Sequence, residues 1–117
     1  MAQGSEMSTF DLVARLQIST PTLLKALNDF QAKILSPGTL DIKTKELIAV
    51  AVAHATGSLS GIMNYTWEAK KAGANEMEIL EAIFPASVVC ARAVIDRSAA
   101  TFEALNSSTE EFSLGPV

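Results

Sequence analysis

Hydrophobic residues recur along most of this chain at spacings of three and four, the pattern that predicts amphipathic helices. The first stripe, residues 10–16, predicts a short helix. Thr20 can cap a second helix through its side-chain oxygen, and Pro21 suits the first helical position. The stripe of this second helix continues to Ile34, and the Ser-Pro-Gly sequence at 36–38 ends it.

A helical hairpin over residues 40–74 forms the centre of the predicted fold. Its first helix, about residues 42–56, is apolar on nearly every side, so we expect burial on several faces. Gly57 suits the left-handed conformation that often ends a helix. Ser58 can cap the second helix of the hairpin, and Gly73 closes it.

The last helix is predicted to begin at Asn75, which forms a capping-box pattern with Glu78. Its apolar stripe extends to Leu105. Pro85 lies inside this helix and predicts a kink, because proline lacks a backbone N–H and crowds the preceding turn. No alternation with a period of two occurs anywhere in the chain, so the sequence predicts an all-α protein.

Length and composition predict one domain that associates with copies of itself. We expect the domain to span residues 9–106, between a flexible N-terminus at 1–8 and a C-terminal tail at 107–117. Hydrophobic residues make up 49% of the 117 residues, which is a high fraction for so small a domain. Because large exposed apolar patches usually mark interfaces, we expect a homo-oligomer.

Charge and cysteine content exclude several classes of function. The net charge is −4, and no basic cluster is longer than Lys70-Lys71, which argues against nucleic-acid binding. No apolar run reaches the ~20 residues that span a bilayer, and the N-terminus does not resemble a secretory signal, so we expect a cytoplasmic protein. The lone Cys90 cannot form an internal disulfide, and we expect it to be a small buried hydrophobe.

Three segments follow one another in a moderately specific order: LDIKTKELIAVAVA at 40–53, AKKAGA at 69–74 and EILEAI at 78–83. In this order they resemble the carboxymuconolactone decarboxylase and alkylhydroperoxidase (AhpD-like) family, and the resemblance covers roughly residues 20–105. It implies an all-helical bundle around a central hairpin that assembles into trimers, hexamers or related rings. The activities it implies are decarboxylation, a lyase reaction, or peroxide reduction.

The resemblance also implies positions for functional groups. The peroxidase branch combines a glutamate with a Cys-x-x-Cys pair and a histidine one turn later. Glu46 matches the glutamate, whereas Ser58 and Gly61 occupy the cysteine positions and Tyr65 occupies the histidine position. Without thiols that can be oxidised and resolved, we expect no thiol peroxidase activity. The decarboxylase branch does without the cysteine pair but usually keeps the histidine that Tyr65 replaces.

We therefore predict a site without metal or cofactor, built from six residues. The predicted catalytic residues are Glu46, Tyr65 and His54, and the predicted substrate-binding residues are Ser58, Gly61 and Asn64.

Each candidate also has a structural interpretation. Glu46 is either a buried carboxyl group with a raised pKa or a glutamate paired with a lysine or a neighbouring subunit. His54 near a helix C-terminus is favoured by the helix dipole alone. Tyr65 is often a core residue with a satisfied hydroxyl group, and Ser58 is a helix cap.

Two functions from different classes follow from these residues. The first is a non-redox acid–base enzyme that acts on a small organic acid or lactone. The second is a non-catalytic oligomeric binding or scaffold protein that keeps the fold. An enzyme should bring Glu46 and Tyr65 to one pocket, whereas in a scaffold Met63 and Trp67 should pack that region shut.

Overall fold

Residues 7–107 of the chain are described by a computed structural model, and they form five α-helices without a strand. The helices are α1 (Thr9–Ser19), α2 (Pro21–Ile34), α3 (Ile42–Thr56), α4 (Leu59–Lys71) and α5 (Glu76–Asn106). The all-α prediction is therefore confirmed over this range. Apart from residues 7, 8 and 107, the expected flexible N-terminus and C-terminal tail lie outside the described residues.

Short polar side chains cap the N-termini of both helices of the central hairpin, as the sequence predicts. Asp41 Oδ1 accepts a hydrogen bond from the Thr44 N–H at 2.8 Å and begins α3. Ser58 Oγ accepts one from the Gly61 N–H at 3.0 Å and begins α4. Each cap satisfies a backbone donor that the first turn of a helix leaves free.

Two sets of side-chain hydrogen bonds stabilise the start of α5. Asn75 and Glu78 form a complete capping box, with side-chain-to-backbone bonds of 2.9 and 2.8 Å. Glu78 also accepts a hydrogen bond from Lys43 Nζ at 2.9 Å, which joins the first turns of α3 and α5. The predicted cap at Thr20 is wrong, because its hydroxyl group donates to the Leu16 carbonyl of α1 instead.

The hydrophobic core lies where α3 packs against both α4 and α5. Val50 and Ala69 are fully buried at its centre, and Ala74 and Ile79 complete it. Three partly buried side chains cover the core: Leu47, Tyr65 and Ile83. The helical hairpin of α3 and α4 is thus the centre of the fold, as predicted.

Two glycines bring α4 close to α3. Gly57 ends α3 at φ +73°, a left-handed conformation that glycine adopts without a steric penalty, and the Ser58 N–H then bonds to the Ala53 carbonyl at 2.9 Å. Gly61 lies at the close approach of the two helices, since an added Cβ would lie 3.3 Å from Ala53 Cβ.

Much apolar surface stays uncovered in the single chain. The radius of gyration is 19.8 Å, whereas a compact domain of about 100 residues has about 13 Å. The long α5 continues through Pro85 and exposes large hydrophobic side chains such as Phe84 and Val88. Cys90 is exposed as well, so the prediction of a buried cysteine is wrong. None of the described helices combines the length and apolarity required to cross a membrane.

Candidate functional site

Glu46 is the only charged side chain that is buried in the described part of the chain. It lies in the second turn of α3 and is 5% exposed. Its Oε1 atom is buried and has no hydrogen-bond partner among the described residues. A buried polar atom without a partner is uncommon in native proteins and is often found at a functional site.

The environment of Glu46 favours the protonated carboxyl group. Burial raises the pKa of Glu46, and the negative charge of Glu68 on α4 raises that pKa further. No lysine compensates, because Lys43 is paired with Glu78, and Lys45 Nζ donates to two backbone carbonyls at the end of α2, at 2.9 and 2.8 Å. Pairing of Glu46 with a lysine is therefore not observed among the described residues, and the catalytic role of Glu46 stays a prediction.

Glu46 lines a pocket of about 310 Å³ between α2, α3 and α4, which we call the polar pocket. Helix α4 contributes three polar side chains from one face: Asn64, Tyr65 and Glu68. Helix α2 contributes Asn28, Gln31 and Ala32, and Leu35 follows its last residue. The pocket thus combines carboxyl, amide and phenol groups within a small volume.

A larger depression of about 720 Å³ lies between α2 and α3, and we call it the apolar groove. Its walls are mainly hydrophobic and include Leu27, Phe30, Ile34, Ile48 and Val52. Tyr65 lines both the apolar groove and the polar pocket, as do Gln31 and Leu35. Tyr65 therefore stands at the junction between an apolar and a polar compartment.

The sequence of the chain matches a known family. The sequence profile of the carboxymuconolactone decarboxylase family matches residues 21–104. The chain belongs to the carboxymuconolactone decarboxylase family. A protein of Paracoccus denitrificans named "Uncharacterized protein 4 in cox locus" is 43% identical over 54 residues, which cover 46% of this chain and 49% of the relative. The matched part thus spans about half of that relative, and no solved structure matches the chain significantly.

In this member of the carboxymuconolactone decarboxylase family, the structure brings three of the six predicted site residues together. Glu46, Tyr65 and Asn64 line the polar pocket, although no hydrogen bond between described residues joins Glu46 to Tyr65. Ser58 lines the end of the apolar groove, where its hydroxyl group serves as the cap of α4. Gly61 lines neither compartment and permits close helix packing instead.

His54 lines neither the polar pocket nor the apolar groove. Its Nδ1 lies 2.8 Å from the Val50 carbonyl of its own helix, one turn earlier, and the side chain is half-buried. This contact gives His54 a structural role within α3. The catalytic role of His54 stays a prediction. Among residues 7–107, no group of three or more His, Cys, Asp or Glu side chains is arranged to hold a metal ion.

Sequence reasoning missed Glu68, Asn28 and Gln31. Glu68 could have been found, because it follows Tyr65 by three residues and therefore lies on the same face of α4. The residues of α2 carry no such signal, because only the tertiary fold places that helix beside Glu46. Met63 and Trp67 do not close the region, since they are 75% and 60% exposed.

Proposed function

We propose that this member of the carboxymuconolactone decarboxylase family is a non-redox acid–base enzyme that acts on a small organic acid or lactone. Glu46 is the proton-transfer group. The observation that supports the proposal is the burial of this carboxyl group at a pocket wall, with Oε1 unpartnered. A carboxyl group whose pKa is raised can hold a proton closer to neutral pH and can both give and take it.

The neighbouring side chains supply the other functions that such a site needs. The Tyr65 hydroxyl and the Asn64 amide can donate hydrogen bonds in the pocket that Glu46 lines, where a substrate carbonyl oxygen would gain negative charge during proton transfer. The apolar groove adjoins this pocket at Tyr65 and can hold the hydrocarbon part of the substrate. Ligand sites commonly combine such an apolar cavity with a few convergent polar groups.

Thiol peroxidase chemistry is not part of the proposal. The two positions that carry cysteines in the peroxidase branch are held by Ser58, which caps α4, and by Gly61, which has no side chain. Cys90 is exposed on α5, and it is the only cysteine of the chain. Peroxide reduction through a resolving thiol needs a second cysteine within reach.

We also propose that the protein works as a homo-oligomer. Large hydrophobic side chains are exposed along α5, from Phe84 and Val88 to Phe102. Trp67 on α4 is 60% exposed and can serve as an interface anchor. A second copy of the chain that covers these side chains would give the protomer the apolar burial that its own core lacks.

The test is a screen for turnover of lactones and of small unsaturated acids. Absorbance and NMR detect the reaction. The variant is Glu46→Gln, which removes the titrating group and keeps nearly the same shape. The matched control is Glu81→Gln on the exposed surface of α5. We expect Glu46→Gln to abolish turnover and Glu81→Gln to keep it, with the same assembly size by light scattering in both.

Two results would contradict the enzymatic proposal. One is turnover that survives in Glu46→Gln, which would place the proton transfer elsewhere. The other is a complete lack of turnover and of ligand binding in a protein that assembles normally. The second result would favour the non-catalytic oligomeric scaffold.

A further inference from the structure

We propose that Lys45 is a positioning residue, which fixes helix α2 beside α3 so that the polar pocket and the apolar groove keep their shape. The proposal rests on the function proposed above, because it assigns Lys45 to substrate binding and leaves proton transfer to Glu46. Three observations support it: the sparse packing between two groups of helices, the hydrogen bonds of Lys45, and the walls that α2 contributes.

The described chain contains two groups of helices that share little packed surface. Helix α1 packs on α2, whereas α3, α4 and α5 pack on one another. We call residues 9–34, which form α1 and α2, the N-terminal arm. Leu24 is the only described residue of this arm that is buried, and the core contains no residue of the arm. Apolar burial therefore does little to fix the N-terminal arm against the other helices.

Lys45 makes the only hydrogen bonds between residues 7–36 and residues 42–107 of the described chain. Its Nζ atom donates to the Ile34 carbonyl at 2.9 Å and to the Ser36 carbonyl at 2.8 Å. Ile34 is the last residue of α2, where carbonyls lack partners within the helix and the helix dipole favours a cation. Hydrogen bonds from a charged donor are stronger than those between neutral groups. Lys45 therefore attaches the end of α2 to α3.

The position of α2 determines the shape of both compartments. Helix α2 contributes Leu27 and Phe30 to the apolar groove, and it contributes Asn28 and Gln31 to the polar pocket. Lys45 lines the apolar groove as well. A displacement of α2 would remove one wall from each compartment and open both to solvent. Lys45 should therefore affect how well a substrate binds, although it acts through α2.

Lys45 and Glu46 are adjacent in sequence but should have different roles. Successive side chains of an α-helix point about 100° apart. Lys45 lines the apolar groove and bonds to the end of α2, whereas Glu46 lines the polar pocket. We expect replacement of Lys45 to change KM and replacement of Glu46 to change kcat.

The first measurement is the distance between the N-terminal arm and α5, by pulsed electron spin resonance on the full-length chain. Cys90→Ser removes the native thiol, and nitroxide labels are attached at Lys25→Cys and Glu81→Cys, which are exposed positions on α2 and α5. Dilution with unlabelled chains leaves only the distances within one chain. With Lys45 present, we expect a single narrow distance distribution.

Lys45→Met is the decisive variant, because it removes the ammonium group and keeps a long apolar side chain. Lys45→Gln is the second variant, and Lys45→Arg tests for rescue, because arginine keeps the charge and the donors. Lys70→Met on the exposed surface of α4 is the matched control. We expect Lys45→Met and Lys45→Gln to lose the narrow distribution, and Lys45→Arg and Lys70→Met to keep it. All four variants should fold, because neither lysine belongs to the core.

The second measurement is the kinetics of a lactone that the protein turns over. The apparent affinity falls with the fraction of chains in which α2 is in place. Loss of both hydrogen bonds of Lys45 should therefore raise KM at least about ten-fold, whereas kcat at saturation should stay within about three-fold. Lys45→Arg should restore the KM of the wild type. Lys70→Met should leave both constants unchanged.

Four outcomes would overturn the inference: a broad distance distribution with Lys45 present, an unchanged narrow one in Lys45→Met, a failure of Lys45→Arg to restore it, or a fall in kcat with an unchanged KM. These outcomes are separable from failure of the proposed function. The distance measurement needs no turnover, so it decides on Lys45 even in a protein without activity. Turnover that depends on Glu46 and is unaffected by Lys45→Met would refute only the role of Lys45.

Discussion

Replacement of Glu46 by glutamine should stabilise the fold at neutral pH, although the substitution removes the proposed catalytic group. The side chain is 5% exposed, and its Oε1 has no partner. Burial of an unpartnered polar group costs about 1–3 kcal/mol of stability, and more if the group is charged. Because the glutamine amide is also desolvated, we expect a gain near the lower end, about 1 kcal/mol, or about 4 °C in the melting temperature.

The gain in stability from Glu46→Gln should increase as the pH rises. Burial and the charge of Glu68 raise the pKa of Glu46 in the folded state, so the folded chain binds this proton more tightly than the unfolded chain. The wild-type free energy of unfolding therefore loses a contribution as the pH rises from the unfolded value, about 4.3, through the higher folded value. Glu46→Gln lacks this loss, so its advantage should be small at pH 4 and largest above the folded pKa.

Urea unfolding at fixed protein concentration from pH 4 to pH 8 measures this difference. Glu81→Gln provides the control, since Glu81 is exposed on α5. The reasoning is refuted if Glu46→Gln is less stable than the wild type at pH 7.5. It is also refuted if the difference between the two proteins does not change with pH.

Three further predictions test the caps, the close helix packing and the absence of sulfur chemistry. Asn75→Ala removes the capping-box acceptor of α5 and should lower the free energy of unfolding by about 1 kcal/mol in urea; an unchanged midpoint would contradict this. Gly61→Ala should be more favourable in a Ser58→Ala background than in the wild type, because the added Cβ would lie 2.6 Å from Ser58 Oγ; a double-mutant cycle without coupling would contradict it. Wild-type protein with cumene hydroperoxide and a dithiol should show no turnover above that of unrelated proteins, and clear turnover would prove this wrong.

Local signals account for the part of the fold that the sequence predicts well. Asp41, Ser58 and Asn75 cap their helices through side chains three residues from the donor they satisfy, and Gly57 ends α3 in the left-handed conformation. Capping residues lie within a few positions of the groups they bond, so a single sequence is enough to predict them. Thr20 shows the limit of this reasoning, because its hydroxyl group bonds to the Leu16 carbonyl of the preceding helix and does not cap α2.

The candidate site was predictable only where one helix carries it. Glu46 and Tyr65 follow from the family resemblance, and Asn64 follows from its place beside Tyr65 on α4. The contribution of α2 depends on how that helix lies across α3, which periodicity does not specify. The sequence predicts a buried Cys90 because a free cysteine usually behaves as a small hydrophobe, whereas the single chain leaves that part of α5 uncovered.

The most direct measurement is the titration of the Glu46 carboxyl carbon by ¹³C NMR, in the wild type and in Glu68→Gln. The account predicts a wild-type midpoint above the ordinary glutamate range and a lower midpoint in Glu68→Gln, because burial and the charge of Glu68 both raise the pKa of Glu46. An ordinary midpoint that Glu68→Gln does not change would contradict the claim that Glu46 is a buried acid whose pKa the fold raises.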